Sequence, residues 1–303
     1  MSEKKLIVVA GPTASGKTAL SIELAKHFNT EIVSADARQF YQELKIGTAV
    51  PSDEELAAVK HHFIQSHSIE EHITAGQYEV MALECLDNIF KDKSIVVLVG
   101  GSGLFIKAVT KGFHETIAHD ESRRQNLNQL LKKKGLKFLQ NMLKKTDPKA
   151  YKNIDIKNSR RVIRAIEIKE ATGKSSIDFK DEPLRKRSFD VLTVGIEWER
   201  EQLYERINKR VDLMLKAGLE AEVLSLKDSF HLTALQTVGY QEWQAFFKEE
   251  CEKEEAVEMI KRNSRRYAKR QMTWFKKTEN MQWFKANEHQ KAIAHLEAQI
   301  KSA

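Results

Sequence analysis

The chain opens on an unbroken apolar run, Leu6-Ile7-Val8-Val9-Ala10. A half-buried strand alternates apolar and polar positions. A strand apolar throughout is buried on both faces, as in a parallel sheet covered by helices. Glu31-Ile32-Val33-Ser34 reads as a second strand and His62-Phe63-Ile64 as a short third one. Ile95-Val96-Val97-Leu98-Val99 is the clearest of the remaining strands, followed by Val191-Leu192-Thr193-Val194-Gly195-Ile196 and a short Met281-Gln282-Trp283-Phe284. Between these runs the apolar spacing is helical. Thr18 to Phe28 carries Leu20, Ile22, Leu24 and Phe28, and Thr74 to Lys91 carries Tyr78, Ala82, Leu86, Ile89 and Phe90. Alternating strands and helices predict an α/β fold with a parallel, doubly wound sheet flanked by helices.

From about residue 118 to 187 no strand pattern occurs, and helical stretches rich in Lys, Arg, Asn and Gln take over. The expected organisation is therefore an α/β core at 1–117, an all-α insertion at 118–187, and the core resumed at 188–303, mostly helical after Trp198. At 303 residues the chain is long enough for this arrangement. Charge marks the same segment. Residues 121–190 hold 20 Lys and Arg against 9 Asp and Glu, an excess of +11, whereas the rest of the chain has a balance of −4. A confined basic excess fits a polyanion-binding surface, and equally a solvated lysine-rich helical face. Cys85 and Cys251 are the only cysteines and lie far apart, so neither a disulfide framework nor a cysteine-based zinc site is supported. His61, His62, His67 and His72 match no standard zinc spacing. No apolar run approaches the roughly 20 residues that span a bilayer, and the N-terminal run is too short for a signal peptide. The expectation is a cytoplasmic protein without membrane contact.

The first strand runs into Gly11-Pro12-Thr13-Ala14-Ser15-Gly16-Lys17-Thr18, a full match to G-x-x-x-x-G-K-[ST] between a buried strand and a helix. In such a P-loop the backbone N–H groups and the helix N-terminus cradle phosphate oxygens. Lys17 adds a point charge, and the Thr18 hydroxyl can ligate Mg²⁺. The acid that often ends another strand and helps to hold the metal is missing, because the 95–99 strand leads into Gly100-Gly101-Ser102-Gly103. The only acid near the end of an early strand is Asp36. It is placed either to act as a base beside the loop or to cap the next segment. The glycine-rich 100–103 stretch by itself reads as a tight turn. Near the C-terminus, Ile260, Ser264, Tyr267, Gln271 and Trp274 share one helical stripe flanked by Lys261, Arg262, Arg265, Arg266, Lys269 and Arg270. The aromatic residues there are expected to be mostly core, with some of the arginines on phosphates.

Eight blocks together resemble the tRNA dimethylallyltransferases: GPTASGKT (11–18), SADARQ (34–39), IGTAVP (46–51), VGGSGLFIKAV (99–109), NSRRVIRAIEI (158–168), RINKRVDLMLKAGLEAEV (206–223), VGYQE (238–242) and RRYAKRQMTWFKK (265–277). They occur in the family's order over about 270 residues. The resemblance implies a P-loop NTPase-like core and transfer of a dimethylallyl group from dimethylallyl diphosphate to N6 of the adenine at tRNA position 37. It implies Mg²⁺, with Thr18 as its protein ligand, and Lys17 and Arg210 neutralising the diphosphate. Asp36 is implied as the base and Ser102 as the group that orients the adenine. Contacts to the anticodon stem-loop would come from Asp36, Ala37, Arg38, Gln39 and Ser102, and from Arg124, Arg160, Arg161, Val162, Ile163 and Arg164 of the insertion. A monomer is expected. The sequence departs from the family's usual residues at Ala37 (usually Ser), Val50 (often Lys), Ser102 (usually Thr) and Phe105 (usually Tyr). No Cys/His pattern of a zinc-finger extension follows the last block. The competing reading is a small-molecule kinase with ATP in the loop and Asp36 deprotonating a hydroxyl, which leaves the basic insertion and the last block without a purpose.

Overall fold

In the computed structural model, residues 3–112, 120–180 and 186–302 are described. The expected insertion's outer segments at 118–119 and 181–185 therefore lie outside the described residues. Six strands, β1 (Lys5–Ala10), β2 (Ile32–Ser34), β3 (His61–His62), β4 (Ile95–Gly100), β5 (Asp190–Glu197) and β6 (Gln282–Lys285), form one sheet in the order β3-β2-β4-β1-β5-β6. All of its pairings are parallel.

Every residue of β1 is buried, as its apolar run requires. Side chains of a strand alternate faces, and two separate apolar layers result. Leu6, Val8 and Ala10 pack with Val33, Val96 and Leu98 on one face, whereas Ile7 and Val9 pack with Ile32, Val97 and Val194 on the other. The expected third strand is displaced and shortened to His61–His62, because Phe63 and Gln65 take left-handed backbone angles (φ 63° and 46°) that break the pairing. The two early helices run Lys17–His27 and Ala75–Ile89. The second is started by a capping box between Thr74 and Gln77.

The chain divides into two compact units, Met1–Thr110 with Arg187–Ala303, and Lys111–Lys186. The second unit contains helices Glu121–Thr146, Pro148–Asn153 and Ser159–Thr172. The first of these is interrupted at Gly135, whose φ of 74° is not helical. The next two begin at side-chain caps, where Asp147 accepts from the Ala150 N–H and Asn158 from the Arg161 N–H. Their core is Leu127, Leu139, Leu143, Ala150, Val162, Ile163, Ala165 and Ile166.

Strand register positions the candidate site in the first unit. Ala10 pairs with Gly100, and Ser34 pairs with Val99. The segments after β1, β4 and β2 therefore leave the same edge of the sheet side by side, at the carboxyl ends where open α/β sheets bind ligands.

Candidate active site

The phosphate loop keeps its carbonyls occupied. The Lys17 Nζ donates to the Pro12 carbonyl at 2.8 Å, the Arg206 Nε to that of Ala14 at 2.9 Å, and the Trp198 Nε1 to that of Ser15 at 2.9 Å. Arg206 also stacks on Trp198, 4.4 Å from its ring centroid. Gly16 caps the Lys17–His27 helix in a left-handed conformation (φ 93°) without any side-chain cap, so the first-turn N–H groups are left for an anion. Gly11, Pro12 and Ser15 are buried, whereas Thr13, Ala14, Gly16, Lys17 and Thr18 are half-buried.

Burial pushes the Lys17 ammonium down to about 8. The Arg210 guanidinium works in the same direction and the Asp36 carboxylate against it. Burial likewise lowers Arg210, opposed by Asp36. Lys17, Arg210 and Asp36 thus lie within mutual electrostatic reach. Two partly desolvated cations beside an uncapped helix start suit a multiply charged anion.

Asp36 stands across from this cradle. Gly100 lets the chain after β2 come close to the end of β4, since a side chain there would overlap the Ala35 carbonyl. The Ser102 hydroxyl accepts from the Ala37 N–H at 3.0 Å. Asp36 Oδ1 accepts from the N–H groups of Arg38 (2.9 Å) and Gln39 (3.4 Å). The turn-capping and base readings of Asp36 are therefore compatible: one oxygen holds the turn, and Oδ2 has no hydrogen-bond partner among the described residues. Tyr267 completes this side. Burial and then the Asp36 charge push its phenol up to about 12, with Arg38, a hydrogen bond with Ser102 and Arg270 acting against them.

A third set of contacts fixes the 45–49 segment. Glu222 accepts from the backbone N–H groups of Lys45 (3.1 Å), Ile46 (2.7 Å) and Gly47 (2.9 Å), and from the Tyr240 hydroxyl. The fully buried Tyr240 ring occupies the space where a side chain at Gly47 would be. Arg210 then donates to the Thr48 carbonyl at 3.3 Å, and Gln39 donates to those of Thr48 (3.3 Å) and Ala49 (2.9 Å). Gln39, one of the residues that the resemblance assigns to tRNA contact, holds this segment through its amide N–H groups.

Sequence reading missed Glu222, Tyr240, Gln271, Trp198 and Arg206. Gln271 carried the best available signal, an amide between Tyr267 and Trp274 on a helical stripe. That stripe is real, but the aromatic residues on and beside it are not all core. Phe275 is buried, Tyr267 is half-buried and Trp274 is 44% exposed. The Trp274 indole lies against Gly103, which leaves its other side to solvent.

In the second unit Arg160 and Arg161 are exposed on the first turn of the Ser159–Thr172 helix. Arg124 and Arg164 converge on the buried Glu167, at 3.8 and 3.3 Å. The expectation that Val162 and Ile163 contact RNA is revised, because both side chains are buried in this unit's own core.

Three of the four clustered histidines have their own partners: His61 Nδ1 meets the Val59 carbonyl, His62 meets Glu31, and His67 meets Ser66. Among the described residues no group of three or more His, Cys, Asp or Glu is arranged to hold a metal ion, and no helix is long and apolar enough to cross a membrane. The Thr18 hydroxyl is half-buried and makes no hydrogen bond among the described residues. A single hydroxyl next to a phosphate cradle fits a divalent cation that would take its other ligands from a bound phosphate and water.

A parallel sheet with a phosphate loop after β1, and a carboxylate and a hydroxyl after the neighbouring strands, defines a P-loop-like transferase fold. The family model for IPP transferase matches residues 39–278. The tRNA dimethylallyltransferase of Christiangramia forsetii is 47% identical, over 98% of this chain and 99% of its own length. That of Flavobacterium johnsoniae is 44% identical over 96% of both chains. Among solved structures, the tRNA isopentenylpyrophosphate transferase of Bacillus halodurans superposes with a TM-score of 0.74 at 35% identity, over 99% of this chain and 98% of that one. A eukaryotic dimethylallyltransferase acting on tRNA superposes with a TM-score of 0.83 at 26% identity, over 99% of this chain and 80% of that one. The chain belongs to the IPP transferase family.

Proposed function

We propose that this chain transfers a dimethylallyl group from dimethylallyl diphosphate to N6 of the adenine at tRNA position 37, next to the anticodon. The observation that carries this reading is the pairing of Asp36, with one free carboxylate oxygen, and a cationic phosphate cradle built from Lys17 and Arg210. A kinase would need the same cradle. It would leave the basic second unit without a use, and the similarity to tRNA-modifying relatives counts against it.

The 11–18 loop binds the diphosphate through its N–H groups, and Lys17 and Arg210 offset the charge that grows on it. The allylic C–O bond breaks, the diphosphate leaves with the electron pair, and the C–N6 bond forms. The proton released from N6 passes to Asp36 Oδ2. Ser102, fixed by its bond to the Ala37 N–H, orients the adenine, and Ala37 and Arg38 border it. Thr18 and the substrate phosphate would hold a divalent cation, which we take to be Mg²⁺ and which supplies further charge neutralisation at the leaving group. The adenine has to leave its stack to reach this edge. Arg160 and Arg161 offer charge for the phosphates of the anticodon stem-loop. The protein acts as a monomer in the cytoplasm.

Digesting tRNA after incubation with protein, dimethylallyl diphosphate and Mg²⁺, and weighing the nucleosides, tests the assignment. The expected product is one adenosine per molecule, next to the anticodon, heavier by a dimethylallyl group less a hydrogen. An unchanged nucleoside profile contradicts it.

A further inference from the structure

Gln271 lies on the Lys253–Phe275 helix, far from the phosphate loop in sequence and 94% buried. Its Oε1 accepts from the backbone N–H of Thr13 at 2.9 Å, and its Nε2 donates to the carbonyl of Gly101 at 2.9 Å. One amide therefore bridges the donor-side loop after β1 to the acceptor-side segment after β4, next to Ser102. Both segments leave adjacent, parallel strands, and a gap between them has to be set by something other than the sheet. The fit is close, since a side chain at Gly101 would overlap the Gln271 amide. One turn earlier on the same helix, Tyr267 reaches Ser102, and one turn later the Trp274 indole covers Gly103.

We infer that Gln271 is a positioning residue, whose amide sets the spacing between the diphosphate cradle and the Ser102 segment so that the allylic carbon and the adenine N6 are brought to reacting distance. The inference rests on the prenyl-transfer reading above. Its two bonds have separable effects. The bond to Thr13 shapes the loop that binds diphosphate, and the bond to Gly101 places the acceptor side. An amide, with an acceptor at one end and a donor at the other, serves both at once. Among the described residues no other side chain hydrogen-bonds to both segments.

The test uses the full chain with dimethylallyl diphosphate and unmodified tRNA, and compares wild type with Gln271→Ala and Gln271→Glu. Gln271→Ala loses both bonds. Its kcat is expected to fall on the order of 100-fold, the size of loss that an ångström of misplacement causes, with a raised KM for the diphosphate and an unchanged KM for tRNA. Gln271→Glu is nearly isosteric and keeps an acceptor for Thr13 but cannot donate to Gly101 when ionised. It is expected to retain the diphosphate KM within about threefold while kcat falls at least tenfold, on the same argument from misplacement. Inorganic diphosphate binding, measured without tRNA, should weaken in the alanine variant and not in the glutamate variant. Wild-type kinetics in either variant overturns the inference. So do identical losses in both that follow a lowered melting temperature, which would make Gln271 a packing residue. Absence of transfer by the wild-type chain would instead overturn the prenyl-transfer reading.

Discussion

The Tyr240 hydroxyl donates to Glu222 at 2.7 Å, and the same carboxylate receives three consecutive backbone N–H groups, those of Lys45, Ile46 and Gly47. Burial and the Glu222 charge hold the Tyr240 phenol well above its ordinary range, so it remains a donor at any physiological pH. The clamp touches no reacting group. It orients the 45–49 segment, whose Thr48 carbonyl meets Arg210. Tyr240→Phe removes one hydrogen bond and should lower stability by about 1 kcal/mol. Glu222→Ala leaves three backbone N–H groups without their acceptor, those of Ile46 and Gly47 part-buried, and should cost more, about 1–3 kcal/mol, with a rise in the KM for the diphosphate because Arg210 loses its support. Urea melts and donor kinetics check both. A Glu222→Ala variant as stable and active as wild type would refute the clamp.

Asp36→Asn separates the turn from the chemistry. Asparagine keeps an acceptor oxygen for the Arg38 and Gln39 N–H groups, so the turn persists, but an amide takes no proton. Turnover should fall about 10²- to 10⁴-fold, while tRNA binding measured by filter retention stays within a few-fold of wild type. Near-normal turnover would remove Asp36 as the base.

Lys17 makes donor binding pH-dependent. Its folded-state pKa of about 8 lies below the ordinary 10.5. Below pH 8 the charge is present at a cost to the fold. That cost disappears as pH rises from about 8 towards the unfolded value, because the unfolded chain then holds the proton more strongly. A bound diphosphate favours the charged form, so binding draws in a proton. Diphosphate affinity should therefore fall as pH rises through 8, and calorimetry in buffers of different ionisation heat should record proton uptake. Affinity that does not change between pH 7 and 9 would contradict a depressed Lys17.

Arg160 and Arg161 are the exposed cations at the start of their helix, unlike Arg124 and Arg164, which meet Glu167. Replacing both with alanine should weaken tRNA binding and make the log–log salt dependence shallower by about 1.5, near the charge of two phosphate contacts. Diphosphate affinity should be unaffected. Equal loss of both ligands would indicate that the second unit acts by supporting the fold.

The legible features were those in which local chemistry decides the structure. The apolar runs at 6–10 and 95–99 leave no choice but burial on both faces, and the glycines and Lys17 of the loop carry their conformational meaning in the residues themselves. The position of Asp36 followed from strand direction. Two kinds of feature were hidden. One is backbone geometry: Phe63 belongs to a residue type that favours strands, yet it adopts a left-handed angle and ends β3 early. The other is long-range pairing. Glu222 looks like any acidic residue in a helical segment until its partners about 175 residues earlier are known. Gln271 stood on the correct stripe, but nothing local distinguishes an amide that bridges two loops from one that faces solvent. Val162 and Ile163 were assigned to the RNA through the family resemblance of their block, whereas helical spacing turns them inward.

The central claim is that the phosphate loop holds a prenyl diphosphate as leaving group while Asp36 activates an adenine. Incubating the protein with unmodified tRNA, Mg²⁺ and dimethylallyl diphosphate labelled in the alkyl chain, with γ-labelled ATP in a parallel reaction, tests it most directly. Alkyl label should enter tRNA with release of one diphosphate per transfer, and no label should come from ATP. Transfer from ATP, or no alkyl label in tRNA, would contradict the account.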